Sequence, residues 1–375
     1  MSTHATHDPP VVLLAAGGTG GHLFPAEALA AALGRRGIVV DLATDERAER
    51  YGMTFPARRI HIVTSATVRG RDPVSLARTA ALLGFGTLQA LRLLGRVAPS
   101  AVVGFGGYPT VPPVLAATLR KIPTLIHEQN AVMGRANRLL AGRVKAIATS
   151  FAGVLDREPG LAAKATRTGN PVRPAVIAAA TASYAVPQPG GPIHLVVFGG
   201  SQGARVMSDI VPPAIERLDP HLQSRLSVVQ QAREEDVGRV KDIYARAKVA
   251  AEVAPFFTDL PARIAAGHLI VARSGASTVA ELAAIGRPSI LVPLPHALDQ
   301  DQFANAGVLA GVNAAIRLPQ AEFTPRRLAT EIAALAGAPK RLAAMAAAAK
   351  FLGRLDAADR LADLVVKVAG DALQD

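Results

Sequence analysis

Cysteine and tryptophan are absent from the 375 residues, and aromatic residues make up only 4%. Without cysteine there are no disulfides and no thiolate metal sites, which fits a cytoplasmic compartment. Scarce aromatic rings leave few platforms on which nucleic-acid bases could stack. The nine histidines are scattered. No His-x-x-x-His or His-Glu-x-x-His spacing occurs, so no protein metal cage is expected. No Gly-Lys dipeptide occurs, which excludes a P-loop. Met1–Pro10 carries no basic segment, and Val11–Ala16 is too short for the apolar part of a secretion signal, so no leader is expected. The long uncharged run Ala101–Leu119 holds Gly104, Gly106, Gly107, Pro109, Pro112 and Pro113. Those residues break a helix and exclude a membrane span there.

What is present suits large cores: half the residues are hydrophobic and 19% are charged. The length accommodates two domains. Net charge is +12 and lopsided, because residues 1–175 hold 21 of the 41 Lys/Arg but only 10 of the 29 Asp/Glu. A basic first half points to a polyanionic surface, nucleic acid or anionic lipid.

Ala16–His22, Ala-Gly-Gly-Thr-Gly-Gly-His, follows the apolar run Val11–Ala15 and precedes a helix-like run, Pro25–Leu33. Glycines at a strand-to-helix turn let the backbone approach a ligand, and the helix start offers free N–H groups to a phosphate or acid. The chain repeats the device at Gly199–Arg205, after the apolar run His194–Phe198. Strands are also expected at Ile38–Ala43, Ala101–Gly104, Pro123–His127, Ala146–Thr149, Leu226–Gln230, Leu269–Ala272 and Ser289–Val292, with helical runs between them. Thr166–Gly191 is rich in proline and small residues and reads as a linker. Such alternation predicts two doubly wound α/β halves in tandem, each with its glycine turn at the carboxyl edge of a parallel sheet.

Several ligands fit such turns. Gly18-x-Gly20 begins a dinucleotide fingerprint and Asp41 lies at the distance of its ribose-binding acid, but Leu23 stands where a third small residue belongs. Arg273–Glu281 follows a strand and opens a helix. There Glu281 serves either to grip a ribose diol or to close a capping box with Thr278. Asp299-x-Asp301 reads as a thin Mg²⁺ pair or as a solvated loop.

Seven segments together resemble a known family: 16–22, Gly-Phe-Gly-Gly-Tyr-Pro at 104–109, His-Glu-Gln-Asn at 127–130, Gly-Asn-Pro-Val-Arg at 169–173, 199–205, Arg-Ser-Gly-Ala at 273–276 and Asp-x-x-Gln-x-x-Asn at 299–305. In this order and spacing they are similar to the MurG family, the bacterial peptidoglycan N-acetylglucosaminyltransferases of glycosyltransferase family 28. The resemblance spans about residues 11 to 365. It implies a GT-B fold of two Rossmann-like domains facing across a cleft. The acceptor- and membrane-facing domain would be 1–173 and the UDP-GlcNAc-binding domain 174–349, with a last helix at about 350–368 packing back on the first. It implies inverting, metal-independent transfer of N-acetylglucosamine from UDP-GlcNAc to the 4-hydroxyl of the muramoyl sugar on undecaprenyl-pyrophosphate, from lipid I to lipid II. No cofactor and no nucleic acid is implied. The family works at the cytoplasmic face of the inner membrane, with cell-wall synthesis proteins as further partners.

Carried over by position, UDP-GlcNAc contacts fall on Thr19, Gly20, Gly21, Asn130, Arg173, Ser201, Phe257, Ala276, Ser277, Thr278, Val279, Ala280, Glu281 and Gln302. Phe257 and Asp301 depart from the family's usual residues. His22, Tyr108 and Glu128 match polar positions on the acceptor side. His22 is the first candidate base, since a helix N-terminus disfavours imidazolium; its other reading is a His that only caps the helix or binds substrate. Glu128 is the second candidate. Pro73–Val97, with Arg78, Gln89, Arg92 and Arg96 on one stripe bordered by Leu82, Phe85 and Leu93, is either a helix for an anionic membrane surface or an ordinary core helix. Gly84 and Gly86 are expected to split it in two.

Overall fold

The computed structural model describes residues 9–17, 20–46, 55–66, 72–200, 203–295 and 297–370. It divides into two compact units, residues 1–173 with 356–375, and residues 174–355.

The first unit is built on seven strands: β1 (Val11–Ala15), β2 (Val39–Thr44), β3 (Arg59–Ile62), β4 (Ala101–Gly104), β5 (Thr124–Glu128), β6 (Ala146–Thr149) and β7 (Ala165–Arg167). Their order is β3-β2-β1-β4-β5-β6-β7 and every pairing is parallel. The second unit has six: β8 (Ile193–Phe198), β9 (Leu226–Gln231), β10 (Ala250–Ala254), β11 (Leu269–Ala272), β12 (Ser289–Leu291) and β13 (Ala315–Arg317). Their order is β10-β9-β8-β11-β12-β13, again parallel throughout. The strand order reverses at β1 in one sheet and at β8 in the other. Both glycine turns therefore leave their sheets at a topological switch point, where open α/β sheets bind ligands.

Helices cover both faces of each sheet, so central strands are apolar on both sides. In the first unit one core layer joins Val12, Leu14, Leu29 and Leu33 to Leu361 and Val365, and the opposite layer gathers Leu13, Leu94, Val102 and Ile126. In the second, Leu195, Val197, Met207, Val211 and Ile332 share one core.

Four expectations need correction. Thr166–Gly191 is not all linker, since it contains most of β7 and the short helix Pro174–Ala179. The segment that returns to the first unit begins at residue 356 rather than 350, and residues 350–352 close the helix Pro339–Leu352. Lys350 stays with the second unit because its Nζ donates to the carbonyls of Ala180 and Ala284 at 2.7 and 2.8 Å. Pro73–Val97 is one continuous helix, capped by Asp72 through the N–H of Ser75. Gly86 does not break it: a Cβ there would lie 2.0 Å from the Thr64 carbonyl oxygen, so the glycine permits close packing of that strand-end loop. Finally, Leu93, expected to border the stripe, is buried in the core, and Gln89, expected on it, accepts a hydrogen bond from the Thr64 N–H at 3.0 Å.

Candidate functional site

In the first unit the relevant residues gather where β1, β4, β5 and β7 end. Thr19 lies outside the described residues, while Gly20, Gly21 and His22 open the helix Gly20–Gly34. His22 stands inside the first turn rather than at a capping position. Its ring lies among glycines. A Cβ on Gly17 or Gly107 would come within 3.3 Å of Cδ2, and one on Gly106 within 3.4 Å of Cε1. Gly106 and Gly107 also have φ of 80° and 75°, a region other residues enter at a cost. Thr110 ties this turn to β1, donating to the carbonyls of Gly106 at 2.6 Å and Ala15 at 3.2 Å. Tyr108 follows the two glycines, half-buried.

Glu128 closes β5 and is 1% exposed. One carboxylate oxygen accepts from the Asn130 N–H at 2.9 Å and from Asn130 Nδ2 at 3.2 Å. The other accepts from the Gly134 N–H at 2.9 Å and from Asn137 Nδ2 at 2.7 Å. Burial pushes its carboxyl up from the ordinary range while these four donors pull the other way. The arrangement makes Glu128 the organiser of the 128–137 loop, and it places Asn130. Arg173 lies over the ring of Phe24, 4.5 Å from its centroid. Asp41, the acid of the dinucleotide reading, is wholly buried, with Arg58 on both oxygens at 2.9 and 3.1 Å and His61 at 2.9 Å. Those partners outweigh the desolvation that opposes them and hold its carboxyl below the ordinary range. A carboxylate so occupied cannot grip a ribose, which removes Asp41 from the dinucleotide reading.

In the second unit the residues again gather at strand ends. Ser201 lies outside the described residues. Gly199 makes the turn after β8 possible, since a Cβ there would sit 2.2 Å from the Ala204 nitrogen. Gln231 accepts from the Gly199 N–H at 3.2 Å and donates to the Pro255 carbonyl at 3.1 Å, which links this turn to the loop carrying Phe257. Phe257 is buried under the guanidinium of Arg263, 4.3 Å from the ring centroid.

Ala276, Ser277, Thr278, Val279, Ala280 and Glu281 form the first half of the helix Ala276–Ile285, whose N-cap is Gly275. Thr278 is therefore inside the helix and the capping box does not form. Glu281 sits in the second turn, buried, one turn deeper than a capping box with Thr278 would place it. Ser277 Oγ is buried without a hydrogen-bond partner. Arg273, at the end of β11, is buried and donates to the carbonyls of Val292 and Pro293, each at 3.1 Å, and to Gln320 Oε1 at 2.6 Å. Burial pulls its guanidinium below the usual range. Ser274 Oγ donates to the Gln302 carbonyl at 2.8 Å, and Asn305 Nδ2 to the Ser274 carbonyl at 3.2 Å.

Gln302 Oε1 accepts from the Leu294 N–H at 3.0 Å, so what the amide offers outward is its NH₂. Gln302 belongs to the helix Asp301–Ala310, which the backbone enters through two consecutive left-handed residues, Asp299 and Gln300, at φ of 57° and 53°. Asp301 is half-buried, which raises its carboxyl, and it accepts from the Gln302 N–H at 2.7 Å. Among the described residues no three His, Cys, Asp or Glu side chains come together as a metal site.

Sequence reasoning did not single out His127, Gln129, Asn137, Ser274 or Asn305 individually, although four of them lie inside recognised segments. Asn137 could be found only from the fold, nine residues beyond the carboxylate it serves.

Two family models match the chain. The glycosyltransferase family 28 N-terminal domain covers residues 12–149 and the C-terminal domain covers 194–361. The UDP-N-acetylglucosamine–N-acetylmuramyl-(pentapeptide) pyrophosphoryl-undecaprenol N-acetylglucosamine transferase of Rhodopseudomonas palustris strain BisA53 is 66% identical, over 96% of each chain. Among solved structures, Acinetobacter baumannii MurG superposes with a TM-score of 0.78 at 30% identity, over 96% of this chain and 100% of that one. The glycosyltransferase of kitacinnamycin shares the fold, with a TM-score of 0.70 at 17% identity over 97% of this chain and 100% of its own. Two parallel α/β units, both family models and full-length relatives thus agree: the chain is a GT-B glycosyltransferase and belongs to glycosyltransferase family 28.

Proposed function

We propose that the chain transfers N-acetylglucosamine from UDP-GlcNAc to the muramoyl 4-hydroxyl of the undecaprenyl-pyrophosphate-linked MurNAc-pentapeptide, lipid I, with inversion and without a metal. The first unit takes the acceptor and the second the nucleotide sugar. The donor and acceptor classes are those named by the 66%-identical relative.

His22 Nε2 takes the proton of the acceptor hydroxyl. The oxygen then attacks the anomeric carbon from the face opposite UDP, and the bond to the phosphate oxygen breaks with its electron pair leaving on UDP. The developing charge on UDP is met by helix N-termini, chiefly that of Ala276–Ile285, and by Arg173. Glu281 accepts from the ribose hydroxyls, and the Gln302 NH₂ donates to the sugar. Glycine turns at residues 19–21 and 199–201, with Asn130 and the backbone at Phe257, complete the donor contacts. Tyr108 contacts the acceptor.

The observation that carries this reading is the placement of His22, packed among Gly17, Gly106 and Gly107 at the switch point of the first sheet. His22→Ala is expected to lower kcat about 10²–10⁴-fold, the usual worth of a general base, with UDP-GlcNAc Kd unchanged. The measurement is UDP release with a lipid I analogue, beside calorimetry with UDP-GlcNAc. A variant that changes only KM would remove His22 from this part.

The helix Pro73–Val97 supports contact with an anionic membrane from the cytoplasmic side. It is the one described helix long and apolar enough to cross a membrane by length and composition. It also packs on the first unit, with Thr79, Gly86, Thr87, Ala90, Leu93 and Leu94 buried. Its outer stripe carries Val74, Phe85 and Leu88, 78%, 53% and 56% exposed, alternating with Arg78, Arg92 and Arg96. That pattern lies on a membrane surface rather than through it.

A further inference from the structure

One chain of hydrogen bonds that reaches His22 begins at two backbone carbonyls, and a carbonyl can only accept. His127 Nε2 lies 2.9 Å from the Gly169 oxygen, so that nitrogen carries the proton. His127 is wholly buried, and burial lowers its ring to about 4, which keeps it neutral. Its Nδ1 therefore holds a lone pair. Gln129 places one end of its amide 3.0 Å from that Nδ1 and 3.0 Å from the His127 carbonyl oxygen. Both neighbours accept, so this end is the NH₂ and both its hydrogens are spent. The other end is the amide oxygen, and it lies 3.2 Å from His22 Nδ1. An amide oxygen only accepts. The proton between them belongs to His22 Nδ1.

We infer that Gln129, oriented by His127, is a positioning residue that holds His22 as the Nδ1–H tautomer and so keeps the lone pair on Nε2, the nitrogen next to Gly107. This deepens the reading of His22 as the base and rests on it. A free imidazole in water favours the opposite tautomer, with its proton on Nε2, and in that form the nitrogen facing the glycines could not take a proton. The device performs the orienting part that a buried carboxylate performs in a Ser-His-Asp triad. It does so with a neutral amide, so it selects the tautomer without adding a negative charge that would favour imidazolium. The second hydrogen of the Gln129 NH₂ and the fixed tautomer of His127 make the selection one-directional, because flipping the amide would oppose oxygen to oxygen at the His127 carbonyl.

Long-range ¹H–¹⁵N correlation spectra of the full-length protein read each tautomer directly. His22→Gln and His127→Gln assign the two rings. The wild type is expected to show His22 protonated on Nδ1 and His127 on Nε2. Gln129→Met keeps the side-chain length and removes both ends of the amide. It is expected to shift His22 toward the Nε2–H form and to lower kcat about 10–100-fold, the range seen when an orienting partner is lost, with UDP-GlcNAc Kd near wild type and Tm lowered by the buried partners it strands. A wild-type His22 protonated on Nε2 overturns the inference even if Gln129→Met does not fold. So does Gln129→Met with full kcat, or with a lowered kcat and an unmoved tautomer. If His22→Ala keeps its kcat, the base reading fails, and the wild-type spectrum still decides the tautomer.

Discussion

At the scale of single residues, the buried polar groups of the first unit set the sharpest expectations. Glu128→Gln keeps the shape but turns an NH₂ toward two N–H donors that it cannot satisfy. The loss is expected at about 2–4 kcal/mol, the cost of stranded buried hydrogen-bonding groups, and denaturant melts of wild type and variant would measure it.

His127 gives a pH dependence of definite sign. Its ring titrates near 6.5 in the unfolded chain and at about 4 in the fold. The unfolded state therefore binds the extra proton first. The stability that the neutral ring contributes is intact above about 6.5 and is lost as pH falls toward 4, by about 3 kcal/mol in all. Burial lowers His268 as well, in the same direction. Melts at steps from pH 7 to pH 5 should show a fall that is shallower in His127→Gln.

The His-Glu-Gln-Asn segment was legible as a motif, and Glu128 and Asn130 could be named from it. The part of Gln129 was not, because its meaning depends on His22, 107 positions away. Which carbonyls lie within reach of an amide is a property of the fold, not of spacing.

At the scale of elements, the strands divide cleanly. The nine central or near-central strands were readable as apolar runs. The four that were not, β3, β7, β10 and β13, are the four edges of the two sheets. An edge strand has neighbours on one side only and can keep polar residues, as Arg59-Ile-His-Ile and Ala-Thr-Arg at 165–167 do. The signal of double-sided burial is missing there for a physical reason.

The helix Pro73–Val97 shows the opposite failure, a break expected from two glycines that make none. The two differ. Nothing lies within 4 Å of a Cβ on Gly84, whereas one on Gly86 meets the Thr64 carbonyl. Gly84→Ala is expected to stabilise by about 0.5–1 kcal/mol through helix propensity. Gly86→Ala is expected to destabilise by about 1–3 kcal/mol through overpacking. Thermal unfolding of both variants tests the pair. On the outer stripe, Arg78→Ala with Arg92→Ala removes two charges each worth about 1 kcal/mol near an anionic surface. Binding to phosphatidylglycerol vesicles should weaken roughly 30-fold in low salt and hardly at all on neutral vesicles. Equal binding by the double variant would refute the membrane role of that stripe.

At the scale of the whole molecule, the tandem α/β plan was plain from alternation and from the two glycine turns. The exact return point of the chain was not, because Pro339–Leu352 and Ala357–Ala369 are both Ala-rich helices in the sequence. Partners distinguish them. The later helix packs Leu361, Leu364, Val365 and Val368 into the first core. Asp359 and Asp363 pair with Arg35 and Arg36, and the Val368 carbonyl accepts from Lys145 at 2.8 Å. Four such apolar side chains, at about 1.5–3 kcal/mol each, rival the whole stability of a domain. A chain ending after Leu355 is therefore expected to lose the folded first unit while keeping the second, visible as a missing transition in calorimetry.

The same return has a consequence for synthesis. A ribosome releases the front half early, yet its last wall is encoded at the back. Residues 174–355 can settle as soon as they emerge, while the earlier residues wait, with an uncovered apolar face, for the final helix. The portion born first is completed last, and that interval is when a chaperone has most to do.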